Sequence, residues 1–296
     1  MISRRGFLVC GSGALAGLGL SGRLLLADAG AKFPETVMRA IPALEKASGG
    51  RLGVAVLDTA TGARASYRGA ERFPLCSTFK ALAAGAVLTK VDAGTERLDG
   101  MVRFAAKDLV TYSPVTSTHV GSGMTLGEIC AAALGYSDNT AGNLMLRAIG
   151  GPAGLTRFAR SMGDEVTRLD RWETALNEAL PGDPRDTTSP VAMVEDLRRL
   201  VFGRVLSAGS REQLKTWMLG CKTGDARLRA GVPKDWRVAD KTGTGGRGTA
   251  NDVGILWPPS RGEVIVTVYL TGSSATRDAQ SATIAAVGRA VATGLG

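Results

Sequence analysis

The sequence predicts an α/β fold of the α+β kind: an antiparallel five-stranded sheet flanked by terminal helices, with an inserted all-helical domain. Three observations carry that expectation. Apolar, strand-like runs lie near both ends of the chain, R-L-G-V-A-V-L-D early and W-R-V-A-D-K-T-G, N-D-V-G-I-L-W-P and E-V-I-V-T-V-Y-L-T-G late. The stretch between them, from about residue 74 to 218, reads instead as helical segments separated by loops. No internal repeat or low-complexity run breaks this order after residue 30. A cleft between the sheet and the helical insert is the natural place for a site.

The elements follow in order. Residues 1–29 read as a signal peptide, with S-R-R-G-F-L, the apolar V-C-G-S-G-A-L-A-G-L-G-L and small residues up to Ala29. The pair Arg4-Arg5 before Phe7-Leu8 resembles a twin-arginine signal, so export to the periplasm is expected, with no membrane attachment after cleavage. Residues 33–48 form a helix, with Pro34-Glu35 in its first turn and Gly49-Gly50 as its stop. R-L-G-V-A-V-L-D is a buried strand, T-A-T-G a turn, and Ala65 to Tyr67 a second short strand. Helices then span Thr78 to Val91, Leu126 to Leu134, Thr140 to Ile149, Pro152 to Met162, Pro190 to Phe202 and Ser210 to Leu219. Three strands and a final helix over Thr276 to Ala292 complete the chain. The implied division is a discontinuous α/β domain from 30–68 and 219–296, enclosing an all-helical domain at 69–218.

Composition excludes several functions. With 44% hydrophobic and 21% charged residues the chain has a globular balance. Its net charge of +9 is scattered, with no Lys/Arg block or aromatic-basic interleaving, which implies mild attraction to anions and no nucleic-acid groove. Four cysteines, Cys10, Cys76, Cys130 and Cys221, show no CxxC spacing, so no zinc site and no other metal is expected. Once Cys10 leaves with the leader, three free and mostly buried thiols remain. The single histidine, His119, leaves a Ser-His-Asp triad hanging on one residue that no motif demands, so a structural role is expected for it.

The chemistry is carried by four short motifs. Ser77 and Lys80, in C-S-T-F-K, stand three residues apart at a helix start, on one face and near the positive end of the helix dipole. A lysine in a dry pocket or near other cations loses its proton easily and serves as a base. S-D-N at Ser137, Asp138 and Asn139 lies on a loop between two helices. K-T-G occurs twice. The copy at Lys222 follows a helix and looks incidental, whereas Lys241, Thr242 and Gly243 end a strand whose edge can take an extended substrate, Gly243 letting it lie close. In R-W-E-T-A-L-N-E-A-L-P-G-D-P-R-D, Glu173 and Asn177 stand at i and i+4, and Arg171 and Asp186 are spaced to pair across the neck of a compact Ω loop near 171–186.

In this order and spacing the four motifs resemble a class A serine β-lactamase. The resemblance extends over essentially the whole mature chain, including Y-S-P-V-T from Tyr112 and R-D-T-T-S-P from Arg185. It implies that Ser77 attacks the lactam carbonyl, with the N–H groups of Ser77 and Thr244 as oxyanion hole. Lys80, or Glu173 through a water, takes the serine proton, and the sequence does not choose between them. The resemblance further gives Ser137 the proton relay to the ring nitrogen, with Lys241 beside it. It gives Glu173 and Asn177 the deacylating water, Asn139 the drug's side-chain amide, and Thr242, Thr244 and an arginine the substrate carboxylate. Tyr112 belongs to the substrate-binding rim. Many relatives carry the arginine where this chain has Ala250, and Arg227 is the expected substitute. The cysteine that pairs with a Cys76 equivalent in carbapenem-hydrolysing members is replaced by Gly245, so that disulfide is not expected. The expected function is therefore hydrolysis of penicillins and cephalosporins, hence antibiotic resistance, by a monomer that needs no cofactor. A penicillin-binding D,D-peptidase shares three of the motifs, but not the Glu173 and Asn177 pair.

Overall fold

The computed structural model of the chain describes residues 20–259 and 261–296. The expected leader lies outside the described residues as far as residue 19, including Arg4, Arg5 and Cys10. Helix α1 (Leu20–Ser48) leads into strands β1 (Arg51–Asp58) and β2 (Arg64–Tyr67) and a two-residue strand β3 (Phe73–Pro74). A 3₁₀ turn over Cys76–Thr78 then runs into α2 (Phe79–Asp92). Short strands β4 (Met101–Val102) and β5 (Met124–Thr125) pair before α3 (Leu126–Gly135), α4 (Asn139–Ala148) and α5 (Gly151–Ser161). After the Ω segment come β6 (Thr187–Thr188), which pairs with β3, then α6 (Pro190–Phe202) and α7 (Ala208–Leu219). The chain ends with α8 (Leu228–Gly231), β7 (Arg237–Gly245), β8 (Thr249–Trp257), β9 (Val264–Thr271) and α9 (Arg277–Leu295).

Helix α1 differs from expectation at its start, which is Leu20 and not the Phe33-Pro34 turn. The run L-L-L-A-D-A-G-A-K is rich in helix formers, and Pro34 forfeits one N–H bond while its fixed φ is already helical. Both Pro34 and Pro42 lie inside the helix. The side chains that pack, Phe33, Val37 and Ile41, begin where the predicted helix begins.

The five long strands form one antiparallel sheet in the order β2-β1-β9-β8-β7. Strands from the two ends of the chain meet at its centre, with Val54 opposite Val268 and Asn251 opposite Tyr269. One face carries Leu52, Val54, Val56, Val266, Val268 and Leu270 against α1 and against Ile284, Val287 and Val291 of α9. The other carries Ala55, Leu57, Val253, Ile255, Ile265 and Tyr269 against the helical middle of the chain, including Met193 and Leu197 of α6. Because both faces are covered, β1 is apolar throughout and does not alternate. Gly53 interrupts that run where a Cβ would stand 2.4 Å from the Phe73 ring, so the strand and β3 pack backbone to ring.

Edge strand β7 borders the helical elements, so the sheet's open edge and the helix starts share one cleft. The Ω segment closes beside it. Arg171 Nε donates to Asp186 Oδ2 at 2.6 Å, and Asp186 Oδ1 accepts the backbone N–H of Asp170 and Arg171 at 2.8 and 2.9 Å. Cys76, Cys130 and Cys221 are free and buried; burial pushes the Cys130 thiol up to about 12 and that of Cys221 to about 11. His119 turns its ring nitrogen to Val115 O at 3.1 Å, within its own turn. Among the described residues no helix is long and apolar enough to cross a membrane.

Arg171→Ala leaves the carboxylate of Asp186, 1% exposed, without its counter-charge while its backbone donors remain. The expected loss is about 2 kcal/mol in urea unfolding. A loss within about 0.5 kcal/mol, the range of an ordinary surface change, would show that the neck pair does not hold the loop.

Candidate active site

The position of Ser77 is set by backbone. Cys76 adopts φ +45° and is fully buried, which turns the chain sharply from β3 into the 3₁₀ turn that carries Ser77. Ser77 thus precedes α2, and Lys80 is the second residue of that helix. Tyr112 (φ +66°) and Ser137 (φ +58°) are also non-glycine residues in the left-handed region. Such conformations persist only where surrounding contacts impose them, and three of them converge on one cleft.

Lys80 is completely buried. Its Nζ lies 3.0 Å from Ser77 Oγ, 2.8 Å from Ser137 O, 2.7 Å from Asn139 Oδ1 and 3.0 Å from Glu173 Oε1. Burial lowers its pKa below that of an ordinary lysine, with Glu173 acting in the opposite direction. Ser77 Oγ also reaches Glu173 Oε1 at 3.3 Å. Asn177 Nδ2 donates to Glu173 Oε2 at 2.6 Å, while its buried Oδ1 meets no protein donor. The expected i, i+4 pair is thus real, carried by a 3₁₀ turn over Ala175–Asn177 and not by a helix.

The S-D-N segment ties three elements together. Asp138 caps α4 by accepting from Ala141 N at 2.8 Å, and its carboxylate also holds the backbone of Val115 and Thr116 at 3.0 and 2.9 Å. Asn139 Nδ2 donates to Thr111 O at 2.9 Å, so the segment preceding Tyr112 is fixed against α4. Tyr112, 56% exposed, stands on the rim. Lys241, fully buried, donates to Ser137 Oγ at 3.0 Å and to Thr242 O at 2.7 Å. Burial lowers its pKa to about 8, and the charge of nearby Lys80 adds to that effect.

The far end of the cleft is built around Arg227. It is largely buried; Nη1 donates to Gly243 O at 2.8 Å and Asn251 O at 2.5 Å, and Nη2 to Thr244 Oγ1 at 2.7 Å. Burial pulls its pKa down, and the carboxylate of Asp252 opposes this. That carboxylate also accepts from Leu228 N at 3.1 Å, anchoring the turn that presents the guanidinium. The cleft encloses about 410 Å³, with Ser77, Ser137, Asn139, Asn177, Thr242 and Thr244 in its lining. Among the described residues no cluster of His, Cys, Asp and Glu is placed to hold a metal.

One expectation needs correction: the K-T-G copy at Lys222 is not incidental, since Thr223 lines the cleft and shares a 2.5 Å hydrogen bond with Thr242 Oγ1. At Gly243 a Cβ would stand 3.0 Å from Leu75 O, 3.1 Å from Asn251 Nδ2 and 3.2 Å from Cys76 Cβ, so its missing side chain lets the Ser77 turn seat against β7. Other contributors had gone unnoticed. Asn143 clamps the backbone of Glu173, accepting from its N at 2.9 Å and donating to its O at 3.1 Å. Its signal was available, because it stands four residues after Asn139 on the same helical face. Gly142 faces Lys80, where a Cβ would stand 2.6 Å from Cε. Arg277, the first residue of α9, reaches the cleft from the other end of the chain.

Comparison with known proteins agrees with this architecture. Residues 36–295 match the β-lactamase enzyme family. The chain is 49% identical over 253 residues to β-lactamase AST-1 of Nocardia asteroides, covering 86% of this chain and 82% of that protein. It is 48% identical over 254 residues to the carbapenem-hydrolysing β-lactamase KPC of Klebsiella oxytoca, covering 86% and 87%. Among solved structures, an ancestral class A β-lactamase superposes with a TM-score of 0.85 at 64% identity, covering 86% of this chain and 98% of that one. With the fold, the motif order and these relatives in agreement, the chain belongs to the class A serine β-lactamases, hydrolases of the β-lactam amide bond.

Proposed function

We propose that the protein opens the β-lactam ring of penicillins and cephalosporins through an acyl-enzyme on Ser77. The observation that carries this reading is the position of Ser77 Oγ, within reach of both Lys80 Nζ and Glu173 Oε1 at 3.0 and 3.3 Å. As Ser77 Oγ bonds to the lactam carbonyl carbon, its proton passes to this pair, whose own 3.0 Å separation lets either member hold it. The N–H groups of Ser77 and Thr244 receive the oxyanion. The C–N bond then breaks, and Ser137 relays to the ring nitrogen the proton that left Ser77, giving up its own hydrogen and taking one in return. Lys241, donating to Ser137 Oγ, leaves that hydroxyl's own hydrogen free to be given away.

Deacylation falls to Glu173 and Asn177. Glu173 takes a proton from water as it attacks the ester, the bond to Ser77 Oγ breaks and that oxygen receives the proton, while the unpartnered Oδ1 of Asn177 helps to orient the water. Thr242, Thr244 and Arg227 face the substrate carboxylate, Asn139 and Tyr112 the acylamino side chain. In the same reading the chain acts as a monomer without cofactor. It divides into an α/β part (30–68 and 219–296) and a helical part (69–218), and is exported to the periplasm by the twin-arginine route.

Glu173→Ala should still acylate but release product roughly 10²–10⁴-fold more slowly. Intact mass after mixing with benzylpenicillin should show a lasting one-to-one adduct, and full-rate turnover by the variant would remove Glu173 from the deacylation step. Gly142→Ala pushes against Lys80 Cε, so kcat/KM should fall roughly 10–100-fold while thermal stability changes little. Wild-type kinetics in that variant would show that Lys80 has room to spare. With the folded pKa of Lys241 lowered to about 8, its positive charge is present below that pH and lost above it. A basic limb in kcat/KM near pH 8 is therefore expected, moving to higher pH in Lys241→Arg because a guanidinium keeps its proton. An unmoved limb would assign it to another group.

A further inference from the structure

Apart from the catalytic cleft, a groove of about 510 Å³ lies behind the Ω loop. Its floor and walls come from three places: the ends of β1 and β9 (Arg51, Thr271), the segment before the nucleophile (Arg72, Pro74), and the back of the Ω loop (Ala179 to Pro184). Arg247, in the turn between β7 and β8, closes one side. The apolar part is a wall of Pro74, Leu180, Pro181 and Pro184.

Its charge is one-sided. Arg51 is paired with Glu71 at 2.9 Å, and Asp183 with Arg185 at 2.7 Å, so neither adds much net charge. Arg72 is held only by neutral acceptors, Val166 O at 2.7 Å and Thr187 Oγ1 at 3.0 Å. The exposed side chain of Arg247 has no partner among the described residues. Two guanidinium charges therefore stand uncompensated beside an apolar wall. We propose that this groove is a second binding site, for a small organic dianion with an apolar body, and that its occupancy is felt in the catalytic cleft.

The route to the cleft is short and covalent. Pro74 lies three residues before Ser77, Ala179 two after Asn177, and Arg247 three after Thr244. The turn bearing Arg247 also rests directly on the Ω loop, with Gly246 N donating to Asn177 O at 2.8 Å. A Cβ at Gly246 would stand 2.9 Å from Glu178 O, so the two segments have no slack between them. An occupant that draws Arg247 toward the Ω loop acts on Asn177 and hence on Glu173. Two sources share the required chemistry. One is the ring-opened product of the reaction proposed above, which gains a second carboxylate, and the other is a phosphorylated metabolite. Binding to the groove does not rest on the Ser77 mechanism; the coupling does, and the two are read separately.

The test is titration calorimetry of the full chain with two probes, benzylpenicilloate and phenyl phosphate. The expected result is saturable binding with a Kd below roughly 1 mM for at least one of them, weakened tenfold or more in Arg247→Asn. Asparagine keeps the left-handed conformation that Arg247 adopts at φ +53° and removes only the charge. Circular dichroism of the variant should match the parent. Binding of benzylpenicilloate alone points to product as the occupant, and binding of phenyl phosphate to the metabolite source. The probe that binds should also change kcat for a cephalosporin without raising KM in proportion, and lose that effect in Arg247→Asn. No saturable binding by either probe, equal affinity in the variant, or purely competitive inhibition unaffected by the variant would each overturn the site.

Discussion

Everything at the cleft depends on one buried ammonium. Lys80 has no exposed surface, and a lone charge in that position would cost many kilocalories per mole. The cost is offset because three segments bring four acceptors to Nζ: the Ser77 turn, the S-D-N segment, which supplies two, and the Ω loop. Three N–H bonds face four oxygens, so the acceptors share the donors, and the Ser77 hydroxyl has Glu173 Oε1 within reach as well. The Ω loop in particular has to be held closed, because Glu173 is the only carboxylate that touches Nζ among the described residues. That requirement accounts for the Arg171–Asp186 pair at the neck and for the double hydrogen bond from Asn143 to the Glu173 backbone.

Much of this was legible in the sequence, for a physical reason. Strands buried on both faces are continuous apolar runs, and R-L-G-V-A-V-L-D and V-I-V-T-V-Y-L-T stand out against amphipathic helices such as P-V-A-M-V-E-D-L-R-R-L-V-F. Their bounds fall within two residues of the observed ones because glycine and proline punctuate them. The neck pair could be anticipated because Arg171 and Asp186 bracket a loop rich in proline and glycine. Ser77, Lys80, Ser137, Asn139, Glu173 and Asn177 were legible as motifs, and the structure brings them all to one cleft.

What escaped the sequence is what only the third dimension defines. The absent side chain of Gly142 matters because α4 crosses α2 at Lys80, and nothing local marks it. Thr223 and Arg277 reach the cleft from a loop after α7 and from the start of α9, elements whose own patterns describe only their packing. The close approach of Leu75 O, Asn251 Nδ2 and Cys76 Cβ at Gly243 is likewise invisible in its strand. The extension of α1 to Leu20 was missed because a proline in a helical pattern is a weaker stop when it only forfeits one bond.

Burial also sets the character of two lysines in a chain whose one histidine finishes a turn. Water exclusion lowers the pKa of both Lys80 and Lys241, with Glu173 opposing it at Lys80 and the charge of Lys80 adding to it at Lys241. The same exclusion depends on the Ω loop lying shut over Lys80. A loosened loop admits water, weakens the grip of Glu173 and returns Lys80 toward the behaviour of an exposed lysine. The neck pair, the Asn143 clamp and the close seat of Gly246 on Asn177 then support the burial of Lys80 although none of them touches it. Closure of the Ω loop and burial of the lysine are, in this fold, one arrangement.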